Sequence, residues 1–291
     1  MAPDPMTSLL EGLTLTRLDD DRFNGRAIER TRPRMFGGDL LAQSLLAAGR
    51  TVKDRRGHSL HVSFLAPGDP TTPIEYRVRR LRDGRRFAQR QLSAWQGERE
   101  ILIATASFTA EPPESHVHQH EAMPEVPGPE GLPSELDQRK AEADRLRPED
   151  RPWLLTERAV EVRQVNPVPL VDPTKVPPVA HTWIRAVGRL PDDPLLHEAA
   201  FAYACDMTLL DITCYPLGLA WLDPRVEQAS LDHGMWFHRP FKMDEWLLYV
   251  QVSPVAAEGR ALARGSLFTR DGALVASVIQ EGVSRLRGGA A

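Results

Sequence analysis

Two cysteines in 291 residues, Cys205 and Cys214, are too few for a disulfide framework, and a reducing cytoplasm is the expected setting. No apolar run approaches the roughly 18–20 residues that cross a bilayer, so membrane insertion is not expected. Excess charge of either sign is also missing. The net charge is −4 and neither half is strongly basic, which argues against nucleic acid as the main partner. Met1 to Glu11 lacks the basic and apolar regions of a secretory signal, and Gly288-Gly289-Ala290-Ala291 carries no peroxisomal or retention address. There is no Gly-x-Ser-x-Gly elbow, which argues against an α/β-hydrolase. His116, His118 and His120 alternate but lie in a polar stretch without cysteine or a matching set of acids, so no metal site is expected.

The chain does contain a long-period repeat. Phe64-Leu-Ala-Pro67 recurs as Phe237-His-Arg-Pro240, and Tyr76 as Tyr249, each 173 positions later. Gly84-Arg85-Arg-Phe87-Ala88 recurs as Gly259-Arg260-Ala-Leu262-Ala263, and Leu102-Ile-Ala104-Thr105 as Leu274-Val-Ala276-Ser277, at nearly the same offset. The shared order and near-constant spacing indicate one fold used twice, with a period too long for a solenoid. The chain length suits two packed domains. The expected division is residues 1–110, a proline-rich linker at 111–155, and residues 156–291. The linker assignment rests on Glu111 to Pro152, which holds 8 of the 25 prolines and no sustained apolar period, with a short helix expected near Glu135–Leu146.

Each half reads as one helix and an antiparallel meander, an α+β class. In the first, a strand at Phe23–Glu29 precedes a helix from about Asp39 to Arg50 with a wide apolar face. Strands follow at Ser59–Leu65, Ile74–Leu81, Phe87–Trp95 and Ile101–Phe108, joined by Pro67-Gly68, Asp83-Gly84 and Gln96-Gly97. In the second, strands at Ala159–Val165 and Thr182–Gly188 precede a helix from Pro194 to about Thr213, capped by Asp192 or Asp193. Strands then run at Gln228–His238, Trp246–Ser253, Ala261–Thr269 and Ala273–Val283. Outer sheet faces and edges seek partners, so a homo-oligomer, dimer or tetramer, is expected.

Several motifs carry a resemblance over Phe23 to Arg285. They are Met35-Phe-Gly-Gly38, His58-Ser59-x4-Phe64-Leu-x-Pro67-Gly68-Asp69, Arg82-Asp83-Gly84, Tyr203-x2-Asp206, Asp232-His233-x-Met235-Trp236-Phe237-His238-Arg239-Pro240, Asp244-Glu245-Trp246-Leu247 and Gln280-Glu281-Gly282. Together they resemble the acyl-CoA thioesterase II family, the TesB-like double hot-dog thioesterases. The resemblance implies two tandem hot-dog units, each a sheet wrapped around a long helix. It also implies hydrolysis of fatty acyl-CoA to free acid and CoA without metal or organic cofactor. The family's catalytic trio matches Asp206, Ser230 and Gln280. Members often have Thr where this chain has Ser230, so the hydroxyl is kept and a methyl is lost.

The residues themselves suit thioester hydrolysis. Asp206 can accept a proton from water, and Ser230 and Gln280 can hold the water's other hydrogen bonds. Gly37 and Gly38 precede the first helix and would let an acyl carbonyl approach backbone N–H groups there. His58 is a further candidate near the substrate, with orientation of a strand or loop as its alternative role. Asp232 and His233 are adjacent on a strand and point to opposite faces, which separates them as a dyad. The repeat sets Ser230 opposite Gly57 and Gln280 opposite Phe108, so one active site per chain is expected. The basic run from Arg77 to Arg90 is a candidate for the CoA phosphates or a solvated hairpin. The rival functions are a hot-dog hydratase or dehydratase, whose Asp-x-Asn-Pro-x-His run is missing, and a non-catalytic acyl-CoA-binding protein.

Overall fold

The computed structural model of the protein describes residues 4–28, 34–110 and 117–287. The first half comprises α1 (Pro5–Gly12), β1 (Thr16–Arg17), β2 (Arg22–Gly25), α2 (Gly37–Gly49), β3 (Arg56–Phe64), β4 (Ile74–Asp83), β5 (Phe87–Gln96) and β6 (Arg99–Thr109). The connection contains α3 (Glu135–Ala141) and α4 (Arg151–Leu154). The second half comprises β7 (Val160–Gln164), β8 (Val179–Ala186), α5 (Pro194–Cys205), a 3-10 segment at Asp211–Leu217, β9 (Val226–Ser230), β10 (Asp232–Phe237), β11 (Leu247–Ala257), β12 (Arg260–Thr269) and β13 (Leu274–Leu286).

The strands form one antiparallel sheet in the order β1-β2-β4-β5-β6-β3-β10-β13-β12-β11-β8-β7, with β9 added to β13. β3 and β10 join the halves, and the sheet wraps two buried helices, giving the expected double hot-dog. α2 is buried at every position from Gly38 to Ala48, and α5 from His197 to Cys205. A helix that is apolar all round must be covered all round. Here the sheet covers one side and the other helix the opposite side. Leu41, Leu45 and Leu46 are fully buried, each worth roughly 1.5–3 kcal/mol.

The repeat is visible in the pairing. His61 and Gly234 are 173 positions apart, the repeat offset, and they are direct partners across β3 and β10. A pair of equivalent residues that face each other marks a pseudo-two-fold axis at that point. Thr105 pairs with His61 and Ile279 with Gly234, so the next residues, Ala106 and Gln280, are equivalents. The register therefore replaces the expected Phe108–Gln280 match, which followed a hairpin-derived offset. Phe108 faces Gly57 as Gly282 faces Ser230, so the match of Gly57 with Ser230 holds.

Two elements differ from the sequence reading. The helix expected to reach Thr213 stops at Cys205, and a 3-10 segment follows. The β-branched residues Thr208, Ile212 and Thr213 and then Pro216 disfavour continuation, and no glycine marks the end. The strand expected at Gln228–His238 is broken at Leu231, whose N–H pairs with Glu281 and whose carbonyl accepts from Phe64. α1 was not foreseen; Asp4 caps it, and Gln43 of α2 donates to the carbonyl of Gly12 at its end.

The helices cross with opposite polarity. The start of α2 meets the end of α5, and Gly49 at the other end lies against Leu195. A Cβ at Gly38 would fall 2.4 Å from the Tyr203 carbonyl oxygen, so glycine sets the distance between the helices. Gly38→Ala is expected to lower unfolding stability by about 1–3 kcal/mol, measured by urea or thermal melts. Unchanged stability would mean the two helices are free to separate there.

Candidate active site

Asp206 is the residue on which α5 ends, and it faces the start of α2. Its Oδ2 would lie 2.6 Å from a Cβ at Gly37, so only glycine leaves the carboxylate in place. No side-chain hydrogen bond caps α2 among the described residues. The first N–H groups of a helix have no intrahelical partner, and its partial positive end here faces the carboxylate.

The sheet brings in the other two trio members. Gln280 lies on β13, fully buried, and its Nε2 donates to Asp206 Oδ1 at 2.8 Å and to Ser230 Oγ at 2.8 Å. Ser230 is the last residue of β9, immediately before the break at Leu231. One amide thus ties together the end of a helix and the end of a strand. Its Oε1 is buried with no hydrogen-bond partner among the described residues. Because both Nε2 hydrogens are engaged, Gln280 orients Asp206 and Ser230, and those two are the members that line the adjoining cavity.

That cavity measures about 530 Å³. Gly37 borders it beside Asp206, and Met35, Phe36, Leu40, Phe64, Met207 and Leu210 supply an apolar wall. The connecting segment adds Arg139, Trp153 and Arg158. Arg139 is almost fully buried and pairs with Glu135 at 2.5 Å. Asp211 also borders the cavity, and burial, reinforced by the charge of Glu135, pushes its carboxyl up to about 8. Sequence reasoning missed Asp211, Arg139 and Arg158. An acid in the apolar run Leu209-Leu210-Asp211-Ile212 was a signal of the same kind as Asp206, whereas the arginines lie in a stretch without apolar periodicity.

The remaining candidates are placed elsewhere. Gly38 packs on the Tyr203 carbonyl behind Gly37. His58 is not among the residues lining the cavity; its Nε2 lies 2.8 Å from Ser107 Oγ and its ring packs edge-on against Phe87. Burial and then the charge of Arg56 lower its pKa. Asp232 is exposed and accepts from the Glu281 N–H, whereas His233 is buried, so they do face opposite ways. Among the described residues no cluster of three or more His, Cys, Asp or Glu is placed to hold a metal; His116 lies outside them. Within the basic run, Arg90 turns inward to Thr51 and Asp83, and Arg77 and Arg80 pair with Glu75 and Asp21.

The opposite ends of the helices carry a different set of groups. Asp193 caps α5 by accepting from Leu195 N–H, and Arg50 lies 3.4 Å from Asp193. Pro194 has no N–H to offer, and Gly57 stands where the second half has Ser230.

Comparison with known proteins identifies the family. The family described as "Acyl-CoA thioesterase" matches residues 155–283, and "Acyl-CoA thioesterase N-terminal domain" matches residues 28–109. The Homo sapiens protein "Acyl-coenzyme A thioesterase 8" is 37% identical, covering 94% of this chain and 88% of its own length. "Acyl-CoA thioesterase 2" of Haemophilus influenzae is 34% identical, covering 97% of this chain and 98% of its own. The crystal structure of acyl-CoA thioesterase II TesB2 from Mycobacterium marinum superposes with a TM-score of 0.78 at 36% identity, covering 98% and 99% of the two chains. With these relatives matched along almost their whole length, the chain belongs to the acyl-CoA thioesterase family.

Proposed function

We propose that the protein hydrolyses acyl-CoA thioesters to a free acid and CoA, using a water held between Asp206 and Ser230. The observation that carries this reading is the single Gln280 amide bonded to both residues at a cavity facing the start of α2. A cavity of this size lies in the range of small-molecule sites, roughly 300–1,000 Å³, and its apolar wall suits an acyl chain.

In the proposed reaction, Asp206 takes a proton from the water as its oxygen attacks the thioester carbonyl carbon. General-base help of this kind is typically worth ~10²–10⁴ in rate. Gln280 already donates to Ser230 Oγ, so the hydroxyl's own proton is left for the water or the carbonyl oxygen. The developing oxyanion is met by backbone N–H groups at Gly37 and Gly38, each such donor being worth ~10²–10³. Collapse of the tetrahedral intermediate breaks the C–S bond. The departing thiol has a pKa near ~8.5, so it leaves without a strong general acid, and the proton on Asp206 returns to sulfur or solvent.

Release of free thiol from a panel of acyl-CoAs is the direct test. Hydration of an enoyl-CoA without thiol release, or binding without turnover, would replace this reading. Asp206→Asn is expected to lower turnover ~10²–10⁴-fold with acyl-CoA binding retained. A variant keeping more than a third of wild-type turnover would remove Asp206 from the role. Ser230→Ala and Gln280→Ala should each lower turnover, Gln280→Ala by more because it releases both partners. The double variant should lose less than the two combined, and Ser230→Thr should be close to wild type. Full additivity in steady-state kinetics would show that Ser230 and Gln280 share no task.

A further inference from the structure

His233 lies behind Asp206 on β10, two residues beyond the break at Leu231, and it is almost fully buried. Its Nε2 is 3.4 Å from Cys205 Sγ. Its Nδ1 is 3.9 Å from Asp206 Oδ1 and has no hydrogen-bond partner among the described residues. Burial pushes its pKa down to about 3, so the neutral ring is the form present at ordinary pH.

A neutral imidazole has two tautomers, and the surroundings distinguish them. With the proton on Nε2, that N–H points at Cys205 Sγ and Nδ1 turns its lone pair toward a carboxylate oxygen. This leaves a buried acceptor unpaired against negative charge, the arrangement a low-dielectric interior penalises most. With the proton on Nδ1, the Cys205 S–H, whose other acceptor is the Ala202 carbonyl at 3.4 Å, can turn to Nε2, and the Nδ1–H lies on the side of Asp206 Oδ1, at a separation longer than a hydrogen bond. Oδ1 then has Gln280 on one side and His233 on the other, and Oδ2 is the oxygen presented at Gly37.

We propose that His233, as its Nδ1–H tautomer, is a positioning residue that fixes the Asp206 carboxylate from behind and so selects Oδ2 as the oxygen that meets the water. The inference rests on Asp206 being the base, as proposed above. It gives the buried histidine of the Asp-His pair a role independent of its exposed neighbour.

Two measurements test it. In the wild-type enzyme labelled with ¹⁵N-histidine, and assigned by loss of the signal in His233→Asn, the ring of His233 should show a protonated Nδ1 and a bare Nε2. A protonated Nε2 would overturn the proposal, whatever the activity. Kinetically, His233→Leu should lower kcat about 3- to 10-fold, less than a full hydrogen bond to a charged group is worth, with KM within about twofold. His233→Asn, whose amide N–H reaches the place of Nδ1, should recover most of that loss, which a purely space-filling role would not produce. In an Asp206→Asn background, His233→Leu should change little further. Equal losses in the Leu and Asn variants, or a His233→Leu effect that persists in full without the Asp206 carboxylate, would overturn it. If the wild-type protein releases no thiol from any acyl-CoA, the hydrolase reading fails, and the tautomer still decides what His233 does.

Discussion

Two buried helices pack side by side with opposite polarity, and the rest of the structure depends on that contact. Where α2 begins, its partial positive end faces Asp206, on which α5 stops. Gly37 makes room for the carboxylate, and Gly38 lets the backbones meet. A buried carboxylate and a helix start thus come from different halves of the chain and meet directly. The sheet adds the restraint the helices lack, because Gln280 holds both Asp206 and Ser230 from β13.

The duplication leaves the two ends of the helix pair differently built. Residues 50–55 join α2 to β3 directly, whereas residues 206–231 separate α5 from β10. This longer connection begins at Asp206, carries Asp211 and leads to Ser230, which stands opposite Gly57. At the other end the same helix contact is filled by an aspartate cap, an arginine and a proline. Glu198, beside Gly57, is pushed up to about 8 by burial.

Most of the architecture was legible because its signals are local. Alternating apolar residues and Gly-containing turns marked the strands, and the apolar run of Leu40 to Ala48 marked α2. The trio was legible through the motif resemblance, and the structure does bring Asp206, Ser230 and Gln280 together. What escaped notice depends on tertiary contacts. α5 ends without a glycine signal, and the break at Leu231 is set by hydrogen bonds to Glu281 and Phe64. The match of Gln280 with Ala106 is fixed by register across the pseudo-two-fold, which sequence spacing blurs by a residue or two. His58 drew attention by its motif, yet its bonds lead to Ser107 and away from the cavity.

The connecting segment has a consequence for how this protein can change over generations. Arg139, Trp153 and Arg158 stand on the cavity wall, yet none of them belongs to a hydrogen-bonded strand or to either central helix. Substitutions there can reshape the chamber while leaving every ladder and the Gln280 bridge intact. Selection for a new ligand shape thus has a route that leaves the sheet and the central helices unaltered. The same covalent tie works in the other direction. Two separate half-length proteins would pair their sheets and still lack this wall, so a chain that has recruited its linker to the site has no simple path back to a dimer of single units.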